Sequence, residues 1–256
     1  MKDIDLTGRI ALVTGGNRGI GKSITYKLAE AGAISIVLDL EINYTHEENI
    51  KKFIGDVRDL KLLNEIKEVI LREYGTLDIL VNNAGIVKVG AFEDTSPEEV
   101  RELFETNVYG VINSTRIFGD VMIKNRYGKI INIASTDAHV GTSGHNSELG
   151  VEYVVAYASS KGALISFTKA LAVEWGKYNI NVNAISPILI ETPMTQHLFE
   201  DVKRLREYKR GLPLEKNPSM RDIANAVLFL SSDLSNSITG HILNVDCGYL
   251  AKSMRE

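Results

Sequence analysis

Alternation constrains this chain more than any other feature. Six short runs rich in apolar and β-branched residues (10–14, 34–38, 77–81, 129–134, 180–185 and 241–245) take turns with longer stretches of helical spacing at 21–31, 61–74, 97–123, 162–177 and 221–230. Strands that are apolar throughout need cover on both faces, and a helix between successive strands is the crossover that parallel pairing requires. The order predicts an α/β fold, a doubly wound parallel sheet with helices on both faces. No Pro/Gly/Ser-rich linker or break in composition divides the sequence, so residues 1–256 are expected to form a single domain. Ser96-Pro97-Glu98-Glu99 is a start signal for the long central helix.

Composition removes several classes of partner. With 44% apolar and 24% charged residues and a formal net charge of −4, the chain lacks the basic excess that nucleic acid or an anionic membrane would require. A single cysteine, Cys247, excludes an internal disulfide, and the histidines at 46, 139, 145, 197 and 241 lack the spacing of a structural metal site, so no metal is assigned. The amino-terminal stretch carries acids, and nowhere do about 18 uncharged apolar residues run together, which argues against a signal peptide or a spanning helix. The expectation is a cytoplasmic protein.

The first chemical signal is Thr14-Gly15-Gly16-Asn17-Arg18-Gly19-Ile20-Gly21, directly after the first apolar run and opening the first helix. Glycines at 15, 19 and 21 allow a tight turn and close backbone approach to a pyrophosphate, whose charge meets the free N–H groups and positive end of the helix. The second run ends in Asp39, 18 residues after Gly21, where a carboxylate can accept both adenosine ribose hydroxyls and repel a 2′-phosphate. Arg18 pulls the other way, since a guanidinium can pair with that phosphate; its plainer reading is a solvated turn residue. These residues predict a Rossmann-type dinucleotide site, with NAD favoured and NADP not excluded.

Three residues stand where proton chemistry can be done. Tyr157 precedes Lys161 by one helical turn, and a lysine there can stabilise the phenolate of a tyrosine whose ordinary pKa is near 10. Ser135 follows the run 129–134, at the strand end where open α/β sheets place ligands. Alone, each has a plainer reading: an exposed helix face for the pair and a strand-end residue for Ser135. Together with the glycine turn they read as machinery.

With these motifs in order, the sequence resembles the short-chain dehydrogenase/reductase family from Leu6-Thr7-Gly8-Arg9 to Val245-Asp246-Cys247-Gly248. The resemblance implies that Asn107, Ser135, Tyr157 and Lys161 form a catalytic tetrad, with Tyr157 the general acid/base, Ser135 polarising the substrate oxygen, and Asn107 holding a water that links Lys161 to solvent. It also implies cofactor contacts from Gly15, Asn17, Arg18, Gly19, Ile20, Gly21 and Asp39, from the pair Asp56-Val57, from Asn83-Ala84-Gly85, from Tyr157 and Lys161, and from Pro187, Ile190 and Thr192. Asp56 and Asn83 read equally well as turn or backbone-bridging residues. Self-association follows from the resemblance, most often as a homotetramer through 97–123 and 162–177.

Departures from the family pattern fall at four places. Only 17 residues separate Asp39 from Asp56, so residues 43–53 are expected to form a turn or two or an irregular connection. Ser135 and Tyr157 lie 22 apart, with the extra segment at 142–153 inside a substrate loop at 136–153. Ile188 and Cys247 stand where the family commonly has glycine, although a branched residue tolerates positive φ poorly. A second substrate loop, 188–215, mixes apolar residues (Met194, Leu198, Phe199) with polar ones (Glu191, Thr195, Gln196, His197). The stretch from Glu174 to Asn183 resembles members acting on polyols, sugars or sugar acids, so the expected function is hydride transfer between nicotinamide and such a secondary alcohol or ketone, a small-molecule partner. A 3-oxoacyl-thioester reductase using NADPH and a non-catalytic dinucleotide sensor or scaffold are the alternatives.

Overall fold

The computed structural model describes residues 4–43, 49–141, 153–192 and 195–252. Seven strands form one parallel sheet: β1 (Ile10–Thr14), β2 (Ile34–Asp39), β3 (Ile50–Ile54), β4 (Ile79–Asn82), β5 (Gly128–Ile133), β6 (Ile180–Pro187) and β7 (Ile242–Val245). Their order is β3-β2-β1-β4-β5-β6-β7. The predicted doubly wound sheet is therefore present, with one strand more than the sequence reading found. Residues 50–54 pair with β2 instead of forming an irregular connection, and residues 44–48 lie outside the described residues. Lys51 and Lys52 hid this strand, because at a sheet edge one side stays wet and the apolar run need not be continuous.

Helices α1 (Gly19–Glu30) and α7 (Met220–Ser231) cover one face; α2 (Leu60–Tyr74), α4 (Gly110–Asn125) and α5 (Val155–Trp175) cover the other. Alternation along β1 divides the core accordingly. Ala11 and Val13 pack with Ile24 and Leu28 of α1 and Val227 of α7, while Ile10 and Leu12 pack with Ile66 and Ile70 of α2 and Phe118 of α4. Each such aliphatic or aromatic side chain, almost wholly buried, contributes roughly 1.5–3 kcal/mol. Asp59 caps α2 by accepting from the N–H groups of Lys61 and Leu62, and Ser219 with Asp222 forms a capping box on α7.

The expected single helix over 97–123 is two: α3 (Pro97–Phe104), started by a Ser96–Glu99 capping box, and α4, joined by a wider π segment, Glu105–Tyr109. Helix α5 begins at Val155, seven residues before the predicted start. The second substrate loop contains the short turn Gln196–Phe199 and helix α6 (Val202–Arg210). Met194 and residues 142–152 of the first loop, including His145, lie outside the described residues. The order in which the chain adds strands reverses between β1 and β4, which stay parallel, so chain segments leaving these two strands go to opposite faces and a crevice opens at their carboxyl ends.

Candidate active site

The crevice starts at the glycine turn. Gly15 and Gly19 have φ of +65° and +56°, values that glycine adopts without a steric penalty. A Cβ on Gly21 would lie 2.0 Å from the Gly15 carbonyl oxygen and 2.5 Å from Asn83 Nδ2. No side chain caps the amino end of α1, where Arg18 is the N-cap residue, so that end is free to meet an anion. Asn83 takes the bridging role that was one of its two readings: its Nδ2 donates to the carbonyl oxygens of Thr14 and Gly15 at 3.1 and 2.9 Å. At the tip of β2, Asp39 Oδ2 accepts from the Asn17 N–H and Oδ1 from the Leu40 N–H, both at 2.8 Å. Arg18 lies 3.9 Å from Glu41. Asp56 is engaged by the Arg58 guanidinium and backbone N–H, and Val57 is buried against Gly110.

Ser135, Tyr157, Lys161 and Asn107 converge at the ends of β4 and β5. Lys161 Nζ donates to the Ile133 carbonyl at 2.7 Å and lies 5.7 Å from the centre of the Tyr157 ring. Fully buried Asn107 sits on the π segment, where its Oδ1 accepts from the Ile86 N–H at 2.8 Å and its Nδ2 donates to the Ile86 carbonyl and to Ser160 Oγ. Gly85 closes the group: a Cβ there would be 3.2 Å from Asn107 Oδ1 and 3.5 Å from Lys161 Nζ. A π segment inside a helix commonly marks a functional site. Burial pushes the Tyr157 phenol well above its ordinary range, Asp137 adds to that, and a hydrogen bond with Ser135 opposes both. Burial alone brings Lys161 down to about 8. The arrangement holds a neutral phenol ready to donate, beside an amine whose charge is adjustable near neutral pH.

On the far wall, Pro187 ends β6, and Ile188 and Ile190 are buried in the core. Ile188 keeps a negative φ, so its β-branch meets no backbone penalty; Cys247 does adopt the glycine-like conformation, at +53°. Thr192 and Thr195 hydroxyls lie 3.0 Å apart, and Thr195 Oγ1 donates to the Ile190 carbonyl. Sequence reasoning missed Asp137, Glu41, Tyr208 and Tyr249. None belongs to a spaced motif, and the links that Asp137 and Glu41 make arise from how short turns fold back.

A family model described as enoyl-(acyl carrier protein) reductase matches residues 15–250. The chain belongs to the short-chain dehydrogenase/reductase family. Among curated members of that family, the 2,3-dihydro-2,3-dihydroxybenzoate dehydrogenase of Bacillus subtilis is 36% identical, covering 95% of this chain and 96% of the relative. A 3-oxoacyl-[acyl-carrier-protein] reductase of Aquifex aeolicus is also 36% identical, over 96% of this chain and 99% of its own. Among solved structures, a gluconate 5-dehydrogenase of Burkholderia cenocepacia in complex with NADP and tartrate superposes with a TM-score of 0.86 at 28% identity, covering 97% of this chain and 98% of that one.

As a short-chain dehydrogenase/reductase, the chain is an NAD(P)-dependent oxidoreductase acting on CH–OH groups. Its residues fit that cofactor: two positive-φ glycines and the uncapped α1 terminus suit the pyrophosphate, and Asp39 stands at the tip of the next strand. When bound, the nicotinamide supplies the site for hydride exchange. Among the described residues no helix is long and apolar enough to cross a membrane.

Proposed function

We propose that this oxidoreductase oxidises a secondary alcohol of a polyhydroxylated substrate (a polyol, sugar or sugar acid) with NAD⁺. The observation that carries the catalytic part is the convergence of Ser135, Tyr157 and Lys161 where β5 ends, with Asn107 behind them. Tyr157 takes the alcohol proton in oxidation and returns it in reduction. Lys161 supports the phenolate by its charge, against the burial that disfavours it. Ser135 holds the substrate oxygen, and Asn107, tied through both amide atoms, positions the water through which Lys161 exchanges protons with solvent. Asp39 supports NAD over NADP, because a carboxylate at the tip of β2, beside the glycine turn, would accept ribose hydroxyls and repel a 2′-phosphate. Self-association as a tetramer through the α3–α4 segment and α5, in the cytoplasm, completes the reading.

The name of the Aquifex relative supports a second reading, reduction of a 3-oxoacyl thioester with NADPH. Absorbance of the reduced nicotinamide separates the two. Polyols, sugars and sugar acids are offered with NAD⁺ and NADP⁺, and acetoacetyl thioesters with the reduced cofactors. Turnover of a polyhydroxylated compound with NAD⁺ is the expected result; turnover confined to thioesters with NADPH overturns it. In Tyr157→Phe, reduced nicotinamide formation should fall at least about a hundredfold, the size of a general acid–base contribution, while dinucleotide binding persists. An unchanged rate removes Tyr157 from the mechanism, and a chain that binds dinucleotide and turns over nothing is a sensor or scaffold.

A further inference from the structure

Asp137 is an acid for which the chemistry just described has no use. It lies two residues after Ser135, on the short turn Thr136–Ala138. Its Oδ2 accepts from the Ser135 hydroxyl at 3.0 Å, and its own N–H donates back to Ser135 Oγ at 3.2 Å. The carboxylate is half-buried and borders a cleft of about 470 Å³ that runs along the first turns of α5. Its charge also reaches phenols from three separate segments: Tyr157 on α5, Tyr208 on α6 and Tyr249 after β7. Burial is the leading cause of the upward shift of each, and Asp137 adds to it.

For proton transfer this carboxylate is a cost. It opposes the Tyr157 phenolate that Lys161 supports, and it draws the Ser135 proton toward itself and away from a substrate oxygen. Local rules broken at a functional site call for a compensating role. An ionised carboxylate accepts hydrogen bonds and donates none. A substrate hydroxyl can donate to it; a substrate carboxylate or phosphate meets a like charge, which is expensive in a partly desolvated site.

We infer that Asp137 is a specificity-determining residue that accepts a hydrogen bond from a second hydroxyl, next to the reacting carbinol, of a neutral polyhydroxylated substrate. This rests on the polyhydroxylated-alcohol reading and narrows it, removing the sugar acids.

The test measures initial rates with NAD⁺ against glycerol, ribitol and D-glucitol as neutral polyols, gluconate as the carboxylate and 2-butanol as the single carbinol. The wild-type chain is compared with Asp137→Asn, which keeps the turn's backbone bond, and Asp137→Leu, which has no acceptor. The wild type should favour its best neutral polyol over gluconate by at least about tenfold, the scale expected for an unpaired or opposed polar group. Asn and then Leu should raise the KM for that polyol stepwise, about tenfold and more, with a smaller change in kcat. They should also raise relative activity on gluconate and leave the KM for 2-butanol within about twofold with no fall in its kcat, since they remove a charge that opposes Tyr157 and Ser135, a split that general loosening of the site would not produce. Should Leu fail to fold, Asn carries the comparison, with its thermal melting as the control. A wild type that prefers gluconate, or an Asn variant whose polyol KM is unchanged, overturns the role of Asp137 and leaves the polyhydroxylated reading standing. A chain that oxidises no member of the panel overturns both.

Discussion

Asp39 and Glu41 stand two residues apart at the tip of β2 and are spent differently. Asp39 is fixed by two backbone N–H groups, so its carboxylate presents a set face to whatever ribose lies beside the glycine turn. Glu41 is exposed and sits 3.9 Å from the equally exposed Arg18. Such a pair adds only about 0–1 kcal/mol to stability, yet it occupies the one cation of the glycine turn. Replacing Asp39 with Ser should therefore weaken NAD⁺ by about tenfold, and adding Glu41→Gln should release Arg18 to a 2′-phosphate, multiplying the NADP⁺/NAD⁺ ratio of kcat/KM by about a hundred. Steady-state kinetics on the single and double variants checks both steps; a ratio that the second change leaves alone would mean that Glu41 does not restrain Arg18. The pairing itself could not be read from the sequence. Asp39 was legible because it closes a strand at a fixed distance from a glycine motif, whereas Glu41 acquires its partner only from the way the turn folds back. Asp137 escaped for the same reason, its link to Ser135 being made by a single short turn.

The elements were most legible where burial leaves a strong pattern. Strands β1, β2, β5 and β6 are apolar along most of their length because helices cover both faces, and all four were placed to within two residues. Edge strand β3 left no such pattern, and α6 is a predominantly polar helix lying in a loop region. The start of α5 was misplaced because Val155-Ala156-Tyr157 has neither a capping side chain nor a clear stripe. Among the elements, the β1–α1 turn has the least tolerance. Gly21 sits one turn into α1 with the Gly15 carbonyl in the space a side chain would need, so Gly21→Ala must push the helix away from the strand end. Dinucleotide affinity is expected to fall by more than about a hundredfold, with a loss of stability of about 1–3 kcal/mol from overpacking. Titration calorimetry with NAD⁺ and urea unfolding measure the two separately, and an Ala variant that binds normally would show that the turn can open without harm.

At the scale of the whole molecule, the outer face of α5 bears on assembly. Val155, Ala170 and Val173 are exposed on it, Val173 at 86% of its full area. Exposed apolar side chains on one helix favour a partner surface, and the tetramer proposed above would bury them. Light scattering behind a sizing column should give four times the 28.3 kDa chain mass, and Val173→Glu should reduce it to a dimer or monomer; a wild-type monomer at micromolar concentration would remove the interface. The sheet itself is closed to one route of growth. An incoming strand that docks along β3 has to lie against Lys51 and Lys52, the first already paired with Glu73, and must either strand those ammonium groups or break that bond. Protection of this kind against edge-to-edge aggregation is how natural sheets stay soluble. The pair of lysines that concealed β3 from a reader of the sequence conceals it equally from a neighbouring chain.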